Sequence, residues 1–450
     1  MKHNRYLFNC LTDPRRATRL VPDWWRKRIE RNPGDLAYEY SVMNALATDA
    51  SVEFIPTGYY YFSGFSDAKI EQINETCNAF VCPLADVFSN DFIFLVRRLT
   101  SLVQKLRIPC IVPCVGLRAT EGEWSANVPD FDETVKAFVR AILEKSSKLG
   151  VRGETTGRYL EKLGFSCGRD FVVVGCPSMY TYGEVLPFSA LQPPQSFERC
   201  AFSINHRASE RDWQFIDGLA NQFQESFFIS QHWKIFRHFM LTNGRWTYNA
   251  VESRPVFKAL LTKYAAEDRM RFFLNRKPWT DFLSTMNVSF GHRIHGALLS
   301  VLSGTPAVVV PFESRTEELA RFHGIPMISS AFRDFSSDMS RFSVEEIFND
   351  LDFSLPAKLQ KDNFSNWISF LHANGLNTVF DHKDEEDCVN RDFPLENALP
   401  GKFPDDDMRA WRFNSPEVKV RMALAESSDL LRHLRGIPGR LKRKILSFTK

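Results

Sequence analysis

Arg293 and His295 stand two residues apart, just after a short apolar stretch at 288–290 and a glycine, Gly291. A segment with Ala297, Leu298, Val301 and Leu302 on one helical face follows at once. Gly304 sits where a left-handed C-cap belongs, and Pro306 lies just past it. A second apolar stretch, 307–311, then leads to Arg315 and a helix opening near Thr316, with Glu318 in its first turn. Two strand ends and two helix N-termini thus bring guanidiniums, free N–H groups and the positive ends of two macrodipoles together. The chemistry this suits is anion binding, of a phosphate or a carboxylate, because arginine's planar fork matches both.

Each of these side chains also has an ordinary reading. Arg293 could be a surface arginine or a partner of Glu318, and Glu318 a plain first-turn acid. His295, with an unperturbed pKa near neutrality, is suited to moving a proton. It is equally suited to capping the helix or only hydrogen-bonding a phosphate. A helix dipole disfavours the imidazolium unless an anion is present. Arg207 follows the apolar stretch 201–205, and as a strand-end arginine it should face the same place as a third contact. Asp35 begins a helix after the Asn32-Pro33-Gly34 turn, where it either holds hydroxyl groups or caps. His292 and His323 read as structural, and Trp24 and Trp25 as packing rather than as a platform for a sugar ring.

The elements that must position these residues alternate. Candidate strands at 52–55, 79–82, 110–115 and 171–174 are separated by helix-like segments such as 36–46, 92–106 and 131–148. A polar, proline-stiffened linker follows at 191–195. The alternation then restarts with 201–205, 227–230, 272–275, 288–290, 307–311 and 327–328. This is the pattern of α/β units with parallel sheets, and two in succession place a cleft at their strand C-termini. The expected division is 1–190, 191–380, and an extension 381–450. The extension is acidic and proline-broken as far as 408, with a helix beginning at Ser415-Pro416. Its last twenty residues carry seven Lys or Arg, so it is either a solvated helix end or a peripheral contact with an anionic membrane.

Composition excludes several classes. A net charge of +3 over 450 residues gives no footprint for nucleic acid. The nine cysteines are scattered without zinc-ligand spacing, which predicts reduced core thiols and no metal. Apolar residues at 44% and charged residues at 25% are globular values, and the 40 phenylalanines are expected in the core. No stretch reaches transmembrane length and the N-terminus has no signal-like apolar region, so a cytoplasmic protein is expected.

The run Gly291-x-Arg293-Ile294-His295-Gly296, then Gly304-x-Pro306, then Glu313-Ser314-Arg315-Thr316-x-Glu318-Leu319, resembles the polysaccharide pyruvyl transferases. Weaker pieces follow in order: Asn32-x-Gly34-Asp35, Val151-Arg152-Gly153-Glu154-Thr155-Thr156, and Val174-Gly175-Cys176-Pro177-Ser178. Glu313 stands where that family often has Asp, and Thr156 where Ser is common. The resemblance spans about residues 30–330. It implies a GT-B-like fold, two Rossmann-like domains facing across a cleft, here with a C-terminal helical extension. It also implies transfer of pyruvate from phosphoenolpyruvate onto two sugar hydroxyls, without metal or organic cofactor. Arg293 and His295 would then be catalytic and, with Arg315, Arg207 and Glu318, would hold the donor. Asp35 would face the acceptor, a sugar or lipid-linked saccharide of a cell-surface glycan such as an exopolysaccharide. A GT-B glycosyltransferase using a nucleotide sugar is the alternative, and a non-catalytic anion- or sugar-binding relative is a second one.

Overall fold

The computed structural model describes residues 4–11, 13–17, 32–57, 65–118, 128–187, 191–236, 238–239, 249–328 and 343–381. The expectations for Trp24, Trp25 and the basic tail concern residues outside this set.

Two parallel sheets organise the chain. In the first, β1 (Arg5–Phe8), β2 (Glu53–Pro56), β3 (Ala79–Val81) and β4 (Cys110–Ile111) run in the order β2-β1-β3-β4. A parallel pair, β5 (Leu149–Val151) with β6 (Phe171–Val173), extends it. The Gly150 N–H donates to the Val112 carbonyl at 3.0 Å, and the Arg152 N–H to the Val115 carbonyl at 2.9 Å. The second sheet comprises β7 (Arg199–Ser203), β8 (Glu225–Ile229), β9 (Met270–Arg271), β10 (Val288–Gly291) and β11 (Ala307–Val309), ordered β11-β10-β7-β8-β9. This is the order of a dinucleotide-type doubly wound sheet, and its switch point lies between β7 and β10. The chain is therefore α/β with two Rossmann-like halves, as the resemblance implies.

The helices that matter for the site are α1 (Asp35–Leu46), α2 (Glu154–Lys162), α3 (Ile294–Leu302), α4 (Ser314–Phe322) and α5 (Leu355–Ala373). All nine residues of α3 and all twelve of α1 are buried, so neither is the one-faced amphipathic helix that periodicity suggests. Both lie inside a core shared by the two halves. Helix α5 crosses back onto the first half, where Trp367 stacks on Tyr180 at 5.1 Å. Gln360 Nε2 donates there to the Met179 and Gly183 carbonyls.

Several sequence expectations are corrected. β1 was not foreseen, because its four residues RYLF offer no alternation, yet it lies between β2 and β3. The strand expected at 272–275 is displaced to Met270–Arg271, since a helix already opens at Arg276. The helix expected over 131–148 runs Pro129–Leu143 and leaves room for β5. At 327–328 only one bridge forms, Met327 to Val309. Cys167 is exposed, whereas the other seven described cysteines are buried free thiols.

Two glycines meet real constraints. Gly291 ends β10 at φ 135°, and a Cβ there would lie 2.0 Å from the Ser203 carbonyl oxygen, so only glycine lets β10 end against β7. Gly304 terminates α3 at φ 81°, the left-handed C-cap its position predicts. No helix among the described residues is long and apolar enough to cross a membrane.

Candidate active site

The C-terminal edges of the two sheets meet, and the charged residues of both halves interlock there. Arg293 immediately precedes α3 as its N-cap residue, and its side chain makes no capping bond to that helix. Its Nη2 donates to Asn32 Oδ1 at 3.0 Å, in the turn before α1, and to the Gln231 carbonyl at 3.4 Å. Arg293 is therefore neither a surface arginine nor a partner of Glu318. Burial first, then Arg315, lower its pKa to about 10, while Glu313, Asp35 and Asp86 act in the opposite direction. A guanidinium under this pressure gains from an arriving anion.

His295 lies in the first turn of α3, buried, with its Nε2 3.5 Å from Arg152 Nη1. Its ring packs on Tyr38 at 5.7 Å. A Cβ on Gly34 would sit 2.5 Å from His295 Nδ1, so the glycine turn before α1 closes directly onto the imidazole. Burial first, then Arg152, Arg315 and Arg293, hold its pKa well below the ordinary 6.5. The imidazole is neutral at physiological pH.

Arg315 opens α4 and pairs with Asp86 at 2.7 Å, beyond the end of β3 in the other half. Burial alone would raise the Asp86 pKa, but Arg315 and Arg118 outweigh it and bring it down to about 2. The pairing continues outward. Arg118 lies 3.6 Å from Asp86 and also binds Asp91, which meets Arg207 at 3.1 Å. Arg207 is thus at the half-exposed rim, paired to the opposite half, and not beside Arg293.

Glu318 is buried under the start of α2. Its Oε1 accepts the Thr156 N–H at 2.9 Å, and Oε2 the Thr156 hydroxyl at 3.4 Å. Burial lifts its pKa to about 7 against those bonds and Arg152. A Cβ on Gly153 would lie 2.0 Å from Glu318 Cγ, so the glycine admits the carboxylate. Asp35 begins α1, and its Oδ1 accepts from Asn32 Nδ2 at 3.1 Å. Burial first, then Asp86, raise its pKa to about 7, with Arg152, Arg293 and Arg315 opposing.

The structure thus brings together Asp35, Arg293, His295 and Arg315, and it sets Glu318 behind them and Arg207 at the rim. It adds residues that the sequence reading did not assign to a site. Arg152 is fully buried, 4.6 Å over the Tyr38 ring, and faces His295. Asn32, Asp86 and Gln231 complete the group. His292 and His323 each accept a backbone N–H from another segment of the chain. His292 Nδ1 accepts the Asn205 N–H at 3.4 Å, and His323 Nε2 the Cys176 N–H at 2.8 Å.

Over residues 124–314 the chain matches the polysaccharide pyruvyl transferase family. That family segment runs from the approach to β5 to the first residue of α4, and so contains Arg152, Arg207, Gln231, Arg293 and His295. Arg315 and Glu318 lie just beyond it, and Asp35 well before. No curated protein matches the chain. Among solved structures, S. aureus MnaA in a co-structure with UDP is similar at 11% identity and a TM-score of 0.46, over 83% of this chain and 96% of that one. The Methanocaldococcus jannaschii UDP-GlcNAc 2-epimerase in complex with UDP-GlcNAc and UDP gives 10% and 0.43, over 81% and 99%. Likeness at this level assigns no ligand to the pyruvyl transferase segment.

Proposed function

We propose that the chain transfers the pyruvyl group of phosphoenolpyruvate to two hydroxyls of a sugar in a cell-surface glycan or its precursor, forming a cyclic ketal. The supporting observation is the meeting of Arg152, Arg293 and Arg315 around His295, where α3 and α4 begin without a capping bond from their N-cap side chains. Phosphoenolpyruvate carries a phosphate and a carboxylate on a three-carbon skeleton, and several fixed guanidiniums serve both groups.

The two pKa values set far apart suggest the acid and the base. Asp35, at about 7, retains a proton near neutrality and delivers it to the methylene carbon of the enol. The first sugar hydroxyl bonds to the central carbon and gives its proton to neutral His295. The bond from that carbon to the phosphate oxygen breaks, and the phosphate leaves with the electron pair and the proton that His295 returns. A second hydroxyl closes the ketal and reprotonates Asp35. The arginines matter most as charge grows on the departing phosphate. In this scheme residues 191–380 supply most of the donor side, joined by Arg152 from residues 1–190, which also supply Asp35 facing the acceptor.

The test is incubation with phosphoenolpyruvate and a panel of free and lipid-linked oligosaccharides. Phosphate release should match, mole for mole, acid-labile pyruvate on the glycan. Phosphate release without sugar-bound pyruvate in every case would contradict the proposal.

A further inference from the structure

Gln231 follows β8 at its C-terminal end and is 4% exposed. Its side-chain amide lies against the first turn of α3, where a Cβ on Gly296 would be 3.0 Å from Nε2 and 3.5 Å from Ser203 Oγ. Neither Nε2 nor Oε1 has a hydrogen-bond partner. Its backbone carbonyl, by contrast, is engaged by Arg293 at 3.4 Å. An amide with both ends unfilled, buried beside the proposed anion clamp, is costly to the fold and points to a ligand.

The unfilled pair also restricts what that ligand is. The ionised oxygens of a phosphate ester or a carboxylate only accept, so either would satisfy Nε2 and leave Oε1 empty. A hydroxyl donates and accepts, and satisfies both. His206, on the neighbouring loop after β7, repeats the pattern. Its buried Nδ1 has no partner and its ring lies 4.1 Å from His232. Burial first, then Arg293 and Arg207, keep it neutral, with its pKa at about 3. Neutral groups with open hydrogen-bond capacity suit a polyhydroxylated ring better than a second phosphate.

We infer that Gln231, with His206 beside it, forms a sugar-hydroxyl subsite that positions the acceptor against the donor held by Arg293. The inference rests on the pyruvyl-transfer reading for what the sugar does, but not for the existence of the subsite. It gives the second sheet a share in acceptor binding, alongside Asp35 from the first half.

The experiment uses the full chain with phosphate present to fill the clamp. Methyl glycosides of glucose, galactose, mannose and N-acetylglucosamine are probed by saturation-transfer NMR. Gln231→Met keeps the length and removes both hydrogen-bonding ends, while Gln231→Glu keeps an acceptor and loses the donor. At least one glycoside should bind the wild type, and its affinity should fall at least roughly tenfold in Gln231→Met. The melting temperature of Gln231→Met should equal or exceed that of wild type, since no internal bond is lost. Equal glycoside binding in both proteins, no binding to wild type, or a clearly lower melting temperature would overturn the subsite. Phosphoenolpyruvate should raise the melting temperature of both proteins. If it raises neither while glycoside binding still depends on Gln231, the pyruvyl reading fails and the hydroxyl subsite stands.

Discussion

Replacing Asp35 by Asn removes a carboxyl buried among Asp86, Arg152, Arg293 and Arg315, whose pKa rises from 3.8 to about 7. The unfolded chain loses this proton near 3.8, and the folded chain holds it to about 7. Between those values the native state binds more protons, so stability falls as pH rises and levels off above 7. The window is about 3 units wide, and at about 1.36 kcal/mol per unit the wild type loses about 4 kcal/mol across it. Asparagine does not titrate. The stability of Asp35→Asn relative to wild type should therefore climb by about 4 kcal/mol from pH 4 to pH 8. Urea unfolding followed by tryptophan fluorescence at several pH values reads this difference, and groups that titrate alike in both proteins cancel. Phosphate release should meanwhile collapse in the variant at every pH. A difference that stays flat, or shrinks as pH rises, would mean that the arginines keep Asp35 ionised, and would refute its role as the acid.

Further predictions concern the surrounding residues. Arg293→Lys should lose turnover nearly as fully as Arg293→Ala, by at least about a hundredfold in kcat/KM, because an ammonium lacks the fork. Arg207→Ala should cost much less turnover, and under about 1 kcal/mol in unfolding, since its partner Asp91 is also half exposed. Gly153→Ala should destabilise by about 1–3 kcal/mol by pushing Cβ onto Glu318, and the penalty should shrink on a Glu318→Ala background in a double-mutant cycle. Asp86, depressed to about 2, contributes about 2 kcal/mol that is present above pH 4 and lost as pH falls through about 2. Asp86→Asn should erase that part of the acid transition.

The second half of the site was legible because it is local in sequence. Arg293, His295 and Arg315 sit at consecutive strand-to-helix junctions, and the β10–α3–β11–α4 order follows from periodicity and punctuation alone. Helix burial was less legible, since α1 and α3 bury residues on every side only because the two halves share a core. Arg152 lay within a quoted motif but was assigned no role, because its meeting with His295 depends on packing between residues 143 apart. Asp86 and Gln231 carried a usable signal. Both follow strands in their respective sheets, and the strand-end rule that singled out Arg207 applies equally to them. Only the structure shows that Arg207 turns outward to Asp91 while Gln231 turns inward.

The most direct test of the account is the melting temperature of the purified chain with phosphoenolpyruvate, phosphate, pyruvate, and uridine, guanosine and cytidine nucleotides. A ligand that binds only the native state raises it. The account predicts a rise with phosphoenolpyruvate larger than with phosphate or pyruvate, abolished in Arg293→Ala. A rise with one nucleotide and none with phosphoenolpyruvate would contradict it and favour a nucleotide-sugar glycosyltransferase.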